Sequence, residues 1–339
     1  MAGVVEPVDR SMPGLEDVRD AAARIAGHAL RTPLIPSELT AELGQPVLLK
    51  LETLQPSGSF KLRGALNAVS RLAPEVRVVA CASTGNHGRA LAWAARATGR
   101  RAIVCLSALV PEVKVRAVHA LGAEIRRIGR SQDEAQEEVD RLVASGGAVE
   151  IPPFDHPDVI AGQGTIALEI LEEQPTLETL LVPLSGAGLI AGMALAAKAL
   201  KPSIRVVGLS MERGAAMASS LAAGQPFQVA EVPSLADSLG GGIGLDNRYT
   251  FALCQALVDE IVLLSEEEIY RGMAALYRRD ALVAEGACAV AHAAILAGKI
   301  DASGPVAAVV TGRNVDRDQF AAVASGRPVT LSDGRVVQG

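Results

Sequence analysis

The stretch Ser57-Gly58-Ser59-Phe60-Lys61-Leu62-Arg63-Gly64-Ala65 sets one lysine among small residues, between an apolar run (Pro46 to Leu51) and a helical pattern (Leu62 to Leu72). A lysine at such a strand-to-helix junction projects into the crevice of an open α/β sheet. With few neighbours to solvate it, its ammonium gives up a proton easily, which suits Schiff-base chemistry. A lone lysine in a polar turn is more often a surface residue. What lifts Lys61 above that reading is the order of three further motifs.

Ser83-Thr84-Gly85-Asn86-His87-Gly88 follows a strand and opens a helix. Free backbone N–H groups and the positive helix end make this turn an anion site suited to a carboxylate, although Ser, Thr and Asn also favour plain helix caps. Ser185-Gly186-Ala187-Gly188-Leu189-Ile190-Ala191-Gly192 repeats the arrangement with smaller residues and reads as a phosphate cradle. It also matches a dinucleotide fingerprint loosely, as G-x-G-x-x-A with Glu212 beyond the next strand. A nicotinamide-linked oxidoreductase is therefore a rival, but it leaves Lys61 and the Asn86 loop without roles. Thr311-Gly312-Arg313-Asn314-Val315-Asp316 ends the last strong strand, where a hydroxyl can meet a heterocycle nitrogen. Glu285, within Val283-Ala284-Glu285-Gly286-Ala287, is expected to start a nearly all-apolar helix, as a helix-end charge or as a member of the site.

The elements that must hold these residues alternate along the chain. Strand-like runs at 77–81, 102–106, 123–128, 179–183, 204–209, 259–264 and 305–310 are each followed by a helical pattern. Ser265 and Glu268 stand in capping-box spacing. Alternation of this kind predicts an α/β fold of parallel sheets covered by helices. Ile151-Pro152-Pro153-Phe154-Asp155-His156-Pro157 continues neither a helix nor a central strand and marks a boundary. The expected organisation is a large lobe from 1–77 and 157–339, with the helix Leu15 to Ile25 on its C-terminal half, and a small lobe from 78–156.

Bulk properties narrow the class. With 339 residues, 49% apolar, the chain can bury a large core. A net charge of −6, no basic cluster and 3% aromatic residues argue against nucleic acid and anionic membranes as partners. The scattered Cys81, Cys105, Cys254 and Cys288 have no metal-type spacing and read as reduced, mostly buried residues. No secretion signal or membrane span is read, so a soluble cytoplasmic protein is expected.

Taken together, the four ordered motifs resemble the pyridoxal phosphate (PLP) enzymes of the tryptophan-synthase-β fold, in the serine/threonine dehydratase and serine racemase group. The resemblance runs from Thr32-Pro33-Leu34 to Asp316. It implies fold type II, with two open, mostly parallel sheets, and a homodimer. It implies that Lys61 binds PLP as a Schiff base, with Phe60 beside the ring and Asn86 at the 3′ oxygen. Ser83, Thr84, Asn86 and His87 would hold a substrate carboxylate. Ser185, Gly186, Ala187, Gly188 and Leu189 would hold the phosphate, and Thr311 would meet the pyridine nitrogen.

The departures from that pattern carry information. Ser185 and Ala187 replace two of four usual glycines, which is tolerable provided neither needs a glycine-only conformation. Thr84 stands where racemases carry a serine that acts as second acid/base, so elimination should exceed racemisation. Acidic metal ligands would fall near Ser210 to Ala216, where only Glu212 is acidic, and this leaves a metal undecided. Glu285-Gly286-Ala287-Cys288-Ala289 stands in for Glu-Pro-x-Gly-Ala and leaves the role of Glu285 open.

Three stretches outside the motifs, 129–133, 210–216 and 238–249, are most similar to dehydratases of hydroxyectoine utilisation. The expectation is a PLP-dependent dehydratase that eliminates water from a small L-β-hydroxy-α-amino acid derived from hydroxyectoine. Arg130, Arg213 and Asp246 are candidates for its extra polar groups. The alternative is a general L-threonine/L-serine dehydratase.

Overall fold

The computed structural model describes residues 11–83, 85–110 and 112–339. Its inner strands are mostly apolar and buried because helices cover both faces of the sheets. In chain order the strands are β1 (Leu34–Pro36), β2 (Val47–Leu51), β3 (Val78–Ala82), β4 (Arg101–Leu106), β5 (Glu124–Arg127), β6 (Val149–Glu150), β7 (Thr179–Pro183), β8 (Arg205–Met211), β9 (Glu260–Leu264) and β10 (Val306–Val310). A six-stranded sheet runs β1-β2-β10-β7-β8-β9, and β1 is its antiparallel edge. A four-stranded parallel sheet runs β5-β4-β3-β6. Residues Val329–Thr330 and Val336–Val337 pair as a small antiparallel hairpin.

Topology does the positioning. Strands β2, β10 and β7 are parallel neighbours, so the segments that follow them leave the sheet at the same edge. Those segments carry Lys61, Thr311 and the 185–189 loop. Five helices matter here: α1 (Leu15–Ile25), α2 (Lys61–Ser70), α3 (Asn86–Ala97), α4 (Pro157–Glu173) and α5 (Gly188–Leu200). Helix α1 puts Val18 and Ala21 into one core with Ile160 of α4 and Ile190 of α5, the association with the C-terminal half expected from sequence. Leu62 and Leu66 of α2 share a core with Val79 and Val104 of the smaller sheet. The Ser265 cap forms as expected, with Ser265 Oγ accepting from Glu268 N at 3.2 Å and Glu268 Oε2 accepting from Ser265 N at 2.8 Å.

Two expectations differ from the structure. Helix α4 was not visible as a helix because it is buried on most faces, which erases the 3.6-residue polar pattern. Its Pro157, which looks like a breaker in sequence, occupies the first turn, where proline is tolerated. Glu285 does not start an α-helix. It is the extended residue before a single 3₁₀ turn, Gly286–Cys288, and the α-helix begins at Val290.

Helices α2, α4 and α5 meet backbone to backbone. A Cβ on Gly162 would stand 2.6 Å from Gly64 Cα, and one on Gly164 would stand 2.7 Å from Gly192 O. Helix α2 begins at Lys61 and α5 begins at the anion loop, so these two crossings set the separation of lysine and loop. Replacing Gly192 by alanine would place a Cβ 2.1 Å from Ile160 O, an atom of the backbone with nowhere to move. Gly192→Ala should therefore cost roughly 1–3 kcal/mol or more. Chemical denaturation should show a lowered midpoint with the slope unchanged.

Candidate active site

Lys61 opens α2 directly after Phe60, whose N–H donates to Thr311 O at 2.9 Å. The Lys61 ammonium lies 5.3 Å from the centre of the Phe60 ring, and its Nζ donates to Pro153 O at 2.7 Å. It has no carboxylate partner among the described residues, and burial lowers its pKa to about 8. A large share of this amine is therefore neutral in mildly alkaline solution, and the neutral form is the nucleophile.

His87 lies beside it, fully enclosed. Burial first, and the Lys61 charge second, push its pKa down to about 3. Its Nε2 is 2.7 Å from Ile151 O, an atom that only accepts, so this nitrogen carries the hydrogen. That leaves Nδ1 as a bare acceptor without a partner. A neutral ring of this tautomer offers nothing to a carboxylate. If His87 helps to hold one, its backbone N–H in the first turn of α3 does so. Ser83 sits just before that turn, with its Oγ accepting from Gly85 N at 3.4 Å. Thr84 lies outside the described residues.

Asn86 is held at both ends of its amide. Nδ2 donates to Glu285 Oε1 at 3.0 Å and Oε2 at 2.8 Å, while Oδ1 accepts from Asn314 Nδ2 at 2.6 Å. Glu285 also accepts from Asn314 N at 2.9 Å and Ser238 Oγ at 2.8 Å. Burial raises the pKa of Glu285, while these donors oppose the shift. The role that sequence left open for Glu285 is thus to orient Asn86.

The anion loop departs from expectation at one residue. Ala187 does take the left-handed conformation, φ 68° and ψ 3°, which favours glycine. A turn of this kind aims successive backbone N–H groups at one point ahead of α5. Phe154 closes the loop from outside: a Cβ on Gly186 would lie 2.4 Å from its ring. Ser185 Oγ donates to Gly240 O at 3.4 Å.

Thr311 ends β10 with its Oγ1 3.1 Å from Cys288 Sγ. All four cysteines are free and buried. Among the described residues no group of three or more His, Cys, Asp or Glu side chains is placed to hold a metal. Arg213 pairs with Asp333 at 3.4 Å, and Arg130 and Asp246 are exposed loop charges, so none of the three forms part of the Lys61 cluster. Sequence reasoning missed Pro153, Phe154, Asp155, Ser238 and Asn314. Their only sequence signal was the density of Pro, Gly and Asn near the motifs.

The donor set fits a phosphorylated heterocyclic aldehyde. Besides the Lys61 amine, Ser59 Oγ and His87 Nδ1 are buried with no hydrogen-bond partner among the described residues. An amine kept partly neutral after one strand, and an anion loop after its close neighbour, define an α/β enzyme that works through a lysine-bound coenzyme. The chain belongs to the family described as pyridoxal-phosphate dependent enzyme, whose model matches residues 25–312. A Sinorhizobium fredii protein provisionally named a threonine dehydratase is 52% identical over 92% of this chain and 95% of its own length. The L-threonine ammonia-lyase of Thermotoga maritima is 40% identical over 89% of this chain and 76% of its own. Maize serine racemase superposes with a TM-score of 0.86 at 33% identity, covering 92% of this chain and 96% of that one. The protein is a PLP-dependent lyase of fold type II, similar to threonine and serine dehydratases.

Two outcomes follow from this geometry. Covalent uptake of PLP by the resolved apoprotein should quicken about tenfold per pH unit below pH 8 and level off above it. Borohydride trapping and mass measurement should locate the label on Lys61, and Lys61→Ala should take up none. Separately, Ala187→Gly relieves the left-handed strain and should stabilise the apoprotein by up to about 1 kcal/mol, seen as a higher thermal midpoint.

Proposed function

We propose that the protein removes water from a small L-β-hydroxy-α-amino acid, L-threonine or L-serine, to give a 2-oxo acid and ammonia. The observation that carries this reading is the Lys61 amine, held by Pro153 O with no carboxylate partner among the described residues, one residue from the backbone contact to Thr311. The names of the relatives at 52% and 40% identity support threonine in particular.

Bound PLP supplies the electron sink that acidifies the Cα–H bond of an attached amino acid. The chain supplies the rest. Lys61 Nζ takes the Cα proton, and its pKa is close to that of an effective base at neutral to mildly alkaline pH. The first-turn amides of α3 hold the substrate carboxylate. The amides of 186–189 would hold the phosphate, and Asn86, fixed by Glu285 and Asn314, would lie at the 3′ oxygen. Thr311 would offer the ring nitrogen a neutral hydroxyl, which would temper the sink and so favour elimination. Thr84, in the racemase serine position, is a poor second acid/base, which also favours elimination. The released enamine hydrolyses in water.

A hydroxyectoine-derived substrate remains as the narrower reading. One observation favours it: the 238–249 segment, on which that similarity partly rests, touches the site through Ser238 and Gly240. Against it, the charges offered for a longer polar side chain are exposed or already paired. A buried pocket group left unpaired would give discrimination on the order of 10⁴-fold. We expect kcat/KM for L-threonine or L-serine to equal or exceed that for β-hydroxy-α,γ-diamino acids and their acyl forms. A preference of 10⁴ for a diamino acid would install the narrower reading.

A further inference from the structure

The Cys288 thiol sits where the pattern resembled by residues 285–289 has glycine, and it makes three close contacts at the end of β10. Gly312 N–H donates to Sγ at 3.0 Å, Gly312 O lies 3.0 Å from Sγ, and Thr311 Oγ1 lies 3.1 Å away. Residue 288 is 1% exposed and Thr311 is 6% exposed, so water competes little for any of these. Burial pushes the thiol up to about 12, so sulfur keeps its hydrogen at any working pH.

One thiol hydrogen therefore has two acceptors in reach. If S–H points to Gly312 O, sulfur takes the Thr311 hydroxyl hydrogen as well as the Gly312 N–H. Thr311 then presents only lone pairs to the crevice. If S–H points to Thr311 Oγ1, the hydroxyl hydrogen is released and can be given to an acceptor in the crevice. The Gly312 N–H anchors sulfur in both arrangements, so only the thiol hydrogen has to turn.

We infer that Cys288 is a positioning residue that sets Thr311 as a hydrogen-bond donor to the ring nitrogen of bound PLP, through a relay S–H to Oγ1 and Oγ1–H to nitrogen. No proton leaves either group, so the ring nitrogen stays unprotonated. This rests on the reading above that Thr311 meets that nitrogen.

The test compares holoenzymes of Cys288→Ala, Cys288→Gly, Cys288→Ser and Thr311→Val with the parent. Two donor-less variants are used so that the comparison survives the misfolding of either. The readouts are the thermal midpoint, the visible absorbance maximum, the dissociation constant of PLP for resolved apoprotein, and kcat and KM separately. Loss of the thiol should shift the absorbance maximum and weaken PLP binding roughly threefold to tenfold, the size of one neutral hydrogen bond. The fall should be in kcat rather than KM, and Cys288→Ser, which keeps a donor, should restore both spectrum and affinity. In a Thr311→Val background, Cys288→Ala should have no further effect on the spectrum. A lowered thermal midpoint with unmoved spectrum and affinity would show a packing role only and overturn the relay, as would a serine variant as defective as the alanine. If Thr311→Val itself leaves spectrum and affinity unchanged, the assignment of Thr311 to the ring fails, and the relay fails with it.

Discussion

The site hangs on one short extended segment, Ile151 to Asp155, that leaves the smaller sheet and crosses to α4. Ile151 N–H holds it to Ala80 O of β3 at 3.0 Å. Its next contacts go to four different walls. Ile151 O takes His87 Nε2, Pro153 O takes Lys61 Nζ, and Phe154 packs on the 186–188 loop. Asp155 accepts the backbone N–H groups of Arg248, Tyr249 and Thr250 at 2.7–2.9 Å and so caps the 250–257 helix. Two consecutive prolines make this possible. They fix φ and remove N–H donors, so the segment has little capacity to pair as a strand, and its carbonyls stay available as acceptors. A slip of one residue would misplace lysine, histidine and phosphate loop together.

The lysine is pinned from the other side by buried charge. Two residues after Lys61, Arg63 meets Glu52 through Nε at 2.8 Å and a second nitrogen at 2.7 Å. It also meets Glu169 of α4, which pairs in turn with Lys50 at 2.7 Å. Burial opposes the ionisation of Glu52, but Arg63 beside it keeps that carboxyl below its usual range. Two cations and two anions cancel, and Thr32, Gln55 and Leu30 O take the remaining hydrogen bonds. Such a cluster adds little net stability, yet losing one member strands a charge at a cost of about 3–5 kcal/mol. Its effect here is orientation. It ties α2 to β2, to the turn after it and to α4, where the glycine crossing with α5 continues the frame.

How much of this was legible follows from how each residue acts. Lys61, Asn86, the 185–189 loop and Thr311 stand just after strands or at helix starts, and local composition marks such places. The alternation of strands and helices, the Ser265 cap and the bounds of the first helix were equally local. Pro153 acts through a carbonyl, Phe154 through its ring against a loop some thirty residues on, and Asp155 caps a helix more than ninety residues away. Nothing in their neighbours announces this. Helix α4 was hidden because a helix buried on most faces has no polar stripe. The Ala187 conformation was hidden because alanine is the last residue from which a left-handed turn would be read. There the surrounding fold overrides the residue.

What these parts have in common is suppression of charge. Lys61 is lowered to about 8, His87 to about 3, Cys288 is raised to about 12, and Glu285 is raised as well. Burial is the largest cause in every case, and in each it disfavours the charged form. On the reading proposed above, the incoming anions, a phosphate and a substrate carboxylate, would be met by helix N-termini, α5 for one and α3 for the other. Backbone amides have two advantages over a lysine or arginine in that place. They cannot neutralise the base that Lys61 must become, and they add no second cation to push its pKa lower still. On the same reading the ring nitrogen would meet a hydroxyl and not a carboxylate. A site built this way would leave the strongest charge change during turnover to Lys61, which is where a base that takes and returns one proton has to be.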